Sequence, residues 1–333
     1  MSAEPICLSV PAIDIGPFLD GTPAGKQAVA DELAAACRDI GFLVIKNHGL
    51  SADVLETAFR MSRAFFDLPQ DDKDAIHPTG PSKQRGYHGF ASRGLANTLG
   101  IAAPPDLRET VFLGPIDDLI ESYRHVPEAE VSYWPNTLPS KPDGTAEALS
   151  ALYRGFEKLS ADLLRIFAVA LRMPEDHFAE KIDRHFSILS CHHYPALTEP
   201  PAPGQLRTGP HTDFGALTIL AMTTEQGGLE VQMPDGSWAG VVAGPGELVV
   251  NLGDMMARWT NDRWKSTLHR VANPLALADA MSRRQSIGYF MHPNYDAAIE
   301  CFPTCRNPGA EPLYPSITAG AHIAEKIAKS HAV

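Results

Sequence analysis

The hydrophobic pattern of this chain changes character part-way along. In the first half, apolar residues recur at helical spacing. Residues 26–40 place Val29, Leu33, Cys37 and Ile40 on one stripe. Gly41 suits the end of that helix, and Phe42-Leu43-Val44-Ile45 then reads as a buried strand. Ser51 is a candidate N-cap for a second helix with Leu55, Phe59, Ser62 and Phe66 on its stripe, stopped by Pro69. Thr145 is a candidate cap for a long helix through Leu149, Leu152, Phe156, Leu159, Leu163, Phe167 and Leu171, closed by Met173-Pro174. Its stripe should pack along a sheet. Around these helices lie an edge strand at 6–15, limited by Pro11, a strand at 109–113, and a proline-rich linker at 133–144. Residues 82–99 contain Arg85-Gly86-Tyr87-His88-Gly89-Phe90 and read as a loop or short irregular strand, where function often sits.

After residue 186 the pattern becomes short apolar runs separated by turn residues. Strands are expected at 186–194, at the run beginning with His211, and at 229–233, 238–242, 247–252, 268–271 and 284–290. Pro234-Asp235-Gly236 is the clearest turn, and a proline-rich loop fills 195–209. Many short strands with tight turns favour a sandwich or barrel over an open parallel sheet. The expected class is mainly β with packed helices and a mixed α/β N-terminal region. At 333 residues the chain exceeds the length at which one core usually stops growing, so one major core with an N-terminal addition is expected.

Composition narrows the function. Lys and Arg number 28 against 40 Asp and Glu, a formal charge of -12, which argues against a nucleic-acid partner. The five cysteines are odd in number and scattered, so a disulfide scaffold is not expected and a reducing cytoplasm suits the chain. Cys301 and Cys305 lack a second pair and read as free thiols. No basic-then-apolar leader and no membrane-length apolar run stands out, so no membrane partner is expected.

The candidate chemistry begins at His211-Thr212-Asp213. On a strand, the side-chain period of two would send His211 and Asp213 to one face. Such a pair serves either a metal or a hydrogen-bonded pair within the strand. His269, in the alternating stretch Thr267-Leu268-His269-Arg270-Val271, can supply a third ligand from a late strand. Two imidazoles and one carboxylate cap one face of an octahedral ion and leave three positions open, whereas a structural zinc site is closed by four protein ligands.

The order of motifs resembles the iron(II)- and 2-oxoglutarate-dependent oxygenases, in the isopenicillin N synthase-like superfamily. The resemblance runs through Val10-Pro11-Ala12-Ile13-Asp14, Gly41-Phe42, Asn47-His48-Gly49, Arg85-Gly86-Tyr87, Tyr194-Pro195, His211-Thr212-Asp213, Leu217-Thr218, Gly227-Gly228-Leu229, Asn251-Leu252-Gly253-Asp254 and His269-Arg270-Val271, then Arg284-Gln285-Ser286. It implies a double-stranded β-helix, or jelly roll. An N-terminal region would span 1–144, a helix and oxygenase core 145–310, and a helical tail 311–333.

The same resemblance implies Fe(II) on His211, Asp213 and His269, dioxygen as oxidant, and 2-oxoglutarate as co-substrate with its distal carboxylate on Arg284 and Ser286. Arg283, pointing the other way, would be solvated or salt-bridged. Tyr194 would hydrogen-bond the co-substrate, and His192 stands where the family often has asparagine. An enlarged loop is expected at 273–282. Substrate-side candidates are Tyr87, His88, Phe90, Met255, Trp259 and His292, with Arg108 or Arg258 facing a substrate carboxylate or, as the ordinary alternative, a surface partner. Phe214 and Phe290 read rather as core. The expected activity couples decarboxylation to succinate with hydroxylation or desaturation of a small molecule, by a monomer or a homodimer. The alternatives are an ethylene-forming type of enzyme, an oxidase needing no 2-oxoglutarate, and a non-catalytic metal or small-ligand binding module.

Overall fold

The computed structural model describes residues 10–79, 84–100, 102–223, 227–274, 282–306 and 309–330. Twelve strands form two sheets. They are β1 (Ala12–Asp14), β2 (Phe42–Lys46), β3 (Gly86–His88), β4 (Glu109–Leu113), β5 (Ile188–Tyr194), β6 (Thr208–His211), β7 (Leu217–Met222), β8 (Leu229–Gln232), β9 (Trp238–Gly240), β10 (Leu248–Leu252), β11 (His269–Val271) and β12 (Arg284–Met291). The larger sheet runs β1-β2-β10-β7-β12-β5-β4-β3 and the smaller β6-β11-β8-β9. This is the double-stranded β-helix architecture with helices packed outside.

Three layers result. Helices Pro23–Asp39, Ala52–Phe66 and Thr145–Ala170 cover one face of the large sheet. The last buries Leu149, Leu152, Phe156, Leu159, Leu163 and Phe167, the stripe its periodicity predicts. Full burial of each such side chain contributes about 1.5–3 kcal/mol. The other face of the large sheet meets the small sheet, and Phe42, Val44, Tyr194 and Val249 pack there with Leu229, Val231 and Val271. The cavity described below opens within this inter-sheet layer.

Most element boundaries follow from local chemistry. The first long helix starts three residues before Lys26, where the Thr22 hydroxyl accepts from Gly25 N and Pro23 takes the first turn. Gly41 follows it at φ +73, and a Cβ there would lie 2.1 Å from the Lys265 carbonyl oxygen, so only glycine fits. Ser51 is the N-cap residue of Ala52–Phe66, although its side chain makes no cap bond. Thr145 is the first helical residue and not the cap; Gly144, at φ 86, takes that position. Of the edge strand expected at 6–15, Ala12–Asp14 is strand, parallel to β2, and residues 1–9 lie outside the described residues. Most of the loop expected at 273–282 also lies outside them.

The single strand expected to carry both His211 and Asp213 is not formed. His211 and Asp213 do not share a strand. His211 ends β6 in the small sheet, while the apolar run after Gly215 becomes β7 in the large sheet. The chain crosses between sheets at Thr212–Ala216. That crossing is held by Asp254 N donating to Asp213 O (2.8 Å), Met255 N to Gly215 O (3.0 Å) and Ala216 N to Met291 O (2.8 Å). A Cβ on Gly215 would sit 2.5 Å from the Met291 carbonyl oxygen, so glycine is required for the crossover to pass this close to the end of β12.

Candidate metal and co-substrate site

His211 and His269 are brought together by strand register. They are direct partners in the antiparallel pairing of β6 and β11, and their ring centroids lie 4.2 Å apart. Asp213 reaches the pair from the crossover. Its Oδ1 is 3.8 Å from Nε2 of each histidine, and one ligand atom from each of the three residues lies within 4.8 Å of the others. All three are buried.

Backbone and side-chain partners aim these groups. His211 Nδ1 lies 2.9 Å from Gly209 O, and His269 Nδ1 3.1 Å from Thr267 O. A carbonyl only accepts, so each Nδ1 carries the proton and each Nε2 lone pair faces Asp213. Asp213 Oδ2 accepts from Thr218 Oγ1 (2.6 Å) and Asn251 Nδ2 (2.6 Å), which leaves Oδ1 for an ion. Burial, and then the neighbouring His269, push the His211 pKa down to about 3, so it is neutral and able to ligate at neutral pH. Burial alone would raise the Asp213 carboxyl; the two imidazoles, Asn251 and Thr218 outweigh it and hold the group below the usual carboxylate range. Two imidazole nitrogens and one carboxylate oxygen, open on one side, fit a non-haem Fe(II).

A cavity of about 410 Å³ opens from this face. Arg284 and Ser286 alternate along β12 toward it, opposite Tyr194 and His192 of β5 in register. Arg284 is only 2% exposed, yet its Nε, Nη1 and Nη2 have no hydrogen-bond partner among the described residues. Burial depresses its pKa, and its charge lies 5.0 Å over the Tyr194 ring. A buried guanidinium with three unused nitrogens fits the distal carboxylate of 2-oxoglutarate. Burial raises the Tyr194 phenol, but the charges of Arg108 and Arg284 prevail and lower it. Arg108 Nη1 donates to His192 Nδ1 at 3.1 Å. Arginine cannot accept, so His192 is protonated on Nε2, and burial first, then Arg108, hold it neutral.

Residues 10–141 match the family described as non-haem dioxygenase in morphine synthesis, N-terminal, and residues 185–293 match the 2OG-Fe(II) oxygenase superfamily. A 2-oxoglutarate-dependent dioxygenase, frbA, from Dothideomycetidae sp. is 30% identical over 323 residues, covering 92% of each chain. The chain belongs to the Fe(II)/2-oxoglutarate-dependent oxygenases. A homoarginine-6-hydroxylase from Oryza sativa subsp. japonica is 31% identical over 332 residues, 96% of each chain. A full-length Neurospora crassa protein, crystallised in complex with alpha-KG and thymine, superposes with a TM-score of 0.84 at 30% identity, covering 98% of this chain and 99% of that one. In this oxygenase the triad His211, Asp213 and His269 is the Fe(II) site, and 2-oxoglutarate is the co-substrate. When bound, iron and 2-oxoglutarate together couple decarboxylation to succinate with oxidation of a substrate C–H bond.

The substrate-side expectations divide. His88, Arg108 and His292 line the cavity. Burial lowers the His88 and His292 imidazoles to about 4, so both are neutral at pH 7. Tyr87, Phe90 and Trp259 do not line it. Tyr87 points from β3 to the helical side and donates to Glu109 Oε2 at 2.5 Å. Phe90 lies beyond the end of β3 and is 47% exposed. Trp259 is 1% exposed, stacks on Phe302 and donates from Nε1 to Ala298 O. Met255 is likewise core, and Arg258 donates to Pro315 O beneath Tyr314. Phe214 and Phe290, read from the sequence as core, in fact form cavity wall. Arg283 makes a salt bridge to Asp67 on the far side of the sheet.

Nothing in the sequence points to the roles of Thr218 and Asn251 as the anchors of Asp213, or of Phe112 and Arg93 in the cavity wall. The first two sit inside motifs that carry the family resemblance, but their task depends on where the crossover places Asp213. Phe112 gave no signal in the sequence, because sheet register alone brings β4 alongside β5, and Arg93 lies in irregular chain after β3.

Proposed function

We propose that Arg284, Ser286 and Tyr194 form the 2-oxoglutarate end of the cavity, and that His192 presents its Nε2–H between that end and the metal face. The enzyme then hydroxylates a small molecule held against Phe112, Phe214 and Phe290. The observation that carries this reading is Arg284, a fully buried cation on the cavity wall whose three nitrogens have no hydrogen-bond partner among the described residues, its charge lying instead over the face of the Tyr194 ring. Leaving such a group unpaired is strongly unfavourable, so the site is built for an anion. Arg284 and Ser286 share a face and flank one carboxylate, while the metal face takes the keto acid end. The apolar walls exclude water from the reacting C–H bond. Four described cysteines are free thiols, which supports a reducing cytoplasm as the enzyme's compartment.

The test is a screen of small metabolites with Fe(II), following succinate release. Turnover should require 2-oxoglutarate and yield one succinate per oxidised substrate. Substrate oxidation that proceeds equally well without 2-oxoglutarate would remove the co-substrate assignment.

A further inference from the structure

Two more arginines line the cavity at its N-terminal wall, Arg93 and Arg108. Arg108 is partnered. Its Nη2 lies 3.2 Å from Asp106 Oδ2 and its Nη1 donates to His192. Arg93 lines the cavity while remaining exposed to solvent, with its guanidinium carbon 5.7 Å over the Phe112 ring, and has no carboxylate partner among the described residues. Asp106 does not neutralise both. Its Oδ2 already receives Leu95 N and Arg108, and its Oδ1 receives Gly209 N. Apart from Asp213, no Asp or Glu among the described residues lines the cavity.

The charges lining the cavity favour an anionic ligand. Fe(II) with the Asp213 carboxylate, a 2-oxoglutarate dianion and Arg284 is neutral as a set, and Arg207, buried outside the cavity lining beside Tyr194, adds a further cation at that end. His88, His192 and His292 are neutral. Arg93 and Arg108 against Asp106 leave one cationic charge in the wall, beside the Phe112 ring. The cavity must also hold 2-oxoglutarate, so what remains of about 410 Å³ suits a small molecule.

We propose that the substrate is a small organic carboxylate. Its carboxylate is bound by Arg93 with Arg108 alongside, and its apolar body lies against Phe112, Phe214 and Phe290. A planar guanidinium matches a carboxylate with two parallel hydrogen bonds, and the Phe112 ring beneath keeps it oriented. Arg93 is thus a specificity-determining residue, whereas Arg108 also orients His192. The inference rests on the co-substrate reading above, because it assigns Arg284 to 2-oxoglutarate.

Binding of matched probes to the Fe(II)-loaded protein, saturated with 2-oxoglutarate under anaerobic conditions, tests it by calorimetry. The probes are benzoate, phenylacetate and 3-phenylpropanoate, the amide of each, 3-phenylpropylamine, and phenylphosphonate. At least one acid should bind about tenfold or more tighter than its own amide and than the amine. Arg93→Gln should abolish that preference while leaving 2-oxoglutarate affinity and melting temperature unchanged. If no acid binds more tightly than its amide, or if Arg93→Gln keeps the preference, the proposal is overturned. Tighter binding of phenylphosphonate than of every carboxylate would overturn the carboxylate class. Loss of 2-oxoglutarate binding in the wild-type protein would instead strike the co-substrate reading, so the two failures are separable.

Discussion

The two faces of strands β4, β5 and β12 carry equally polar residues arranged to opposite ends. On the helix-facing side, Glu109 accepts from Lys73 Nζ (2.9 Å), Tyr87 Oη (2.5 Å) and His193 Nδ1 (2.7 Å). Arg283 closes that cluster by bonding His193 and Asp67. Every charge there has a partner. On the opposite side, one residue along each strand, Arg284 is buried with none. The alternation of the pleat puts Glu109, His193 and Gln285 on one face and Thr110, His192 and Ser286 on the other. A saturated buried network is structure, and an unsaturated one is a place kept for a ligand. Both contain arginine and histidine, so residue type alone does not separate them.

Substitutions on the two faces should therefore have opposite consequences. The largest effect is expected at the metal face. Asp213→Ala should bind little Fe(II) and lose turnover by more than about a hundredfold, beyond the 10–100-fold typical of residues that only support a ligand. Metal content after anaerobic loading and succinate release check both parts. Glu109→Gln, on the helix-facing side, should lower stability by about 3 kcal/mol, because it leaves Lys73 buried without its carboxylate. Its 2-oxoglutarate affinity should stay at the wild-type value. Denaturant unfolding set beside calorimetry would expose any mixing of the two roles.

That same cluster fixes a pH dependence. Burial would raise Glu109, but His193, Tyr87 and Lys73 outweigh it and hold its carboxyl below the usual range. Burial holds the His193 imidazole below its own. The folded state thus binds fewer protons than the unfolded chain, and stability rises with pH. Its contribution should fade as pH drops below about 6.5, where the unfolded His193 gains a proton, and again below about 4.3 as pH falls toward the folded pKa of Glu109. Glu109→Gln should flatten the lower of these two slopes in unfolding curves measured across pH.

Asn251→Ala removes one of two donors to Asp213 Oδ2 and should weaken Fe(II) about tenfold with little change in fold. The smallest effect belongs to Phe90. Exposed and outside the cavity, Phe90→Ser should shift stability by less than about 0.5 kcal/mol and leave substrate KM unchanged. A marked rise in KM would return Phe90 to the substrate wall.

The sequence made the helices and most strands legible, because their apolar periods are regular, while helix starts were legible only to within a few residues. It also picked out His211, Asp213 and His269, though for a reason only partly right. The shared-strand argument for the first two fails, since Asp213 sits in a crossover whose path depends on Gly215 meeting Met291. Register then supplies what periodicity cannot, the pairing of His211 with His269. On the substrate side the sequence misled at Tyr87 and Trp259. Both are aromatic residues in suggestive motifs, and both spend their polar atoms on structural partners. Phe112 was invisible because nothing local distinguishes a strand residue facing a cavity from one facing a helix, and Arg93 because it lies in irregular chain after β3 that no period places.

The contrast between the faces comes down to Arg284. Anaerobic calorimetry of 2-oxoglutarate binding to the Fe(II)-loaded protein, for wild type and Arg284→Met, measures it directly, with melting temperature recorded alongside. The expected result is affinity weakened by about 10–100-fold with a melting temperature unchanged or raised, since a buried unpaired charge is removed while the charge-assisted bonds to the co-substrate are lost. Unchanged affinity, or a melting temperature that falls with it as for a structural ion pair, would contradict the account.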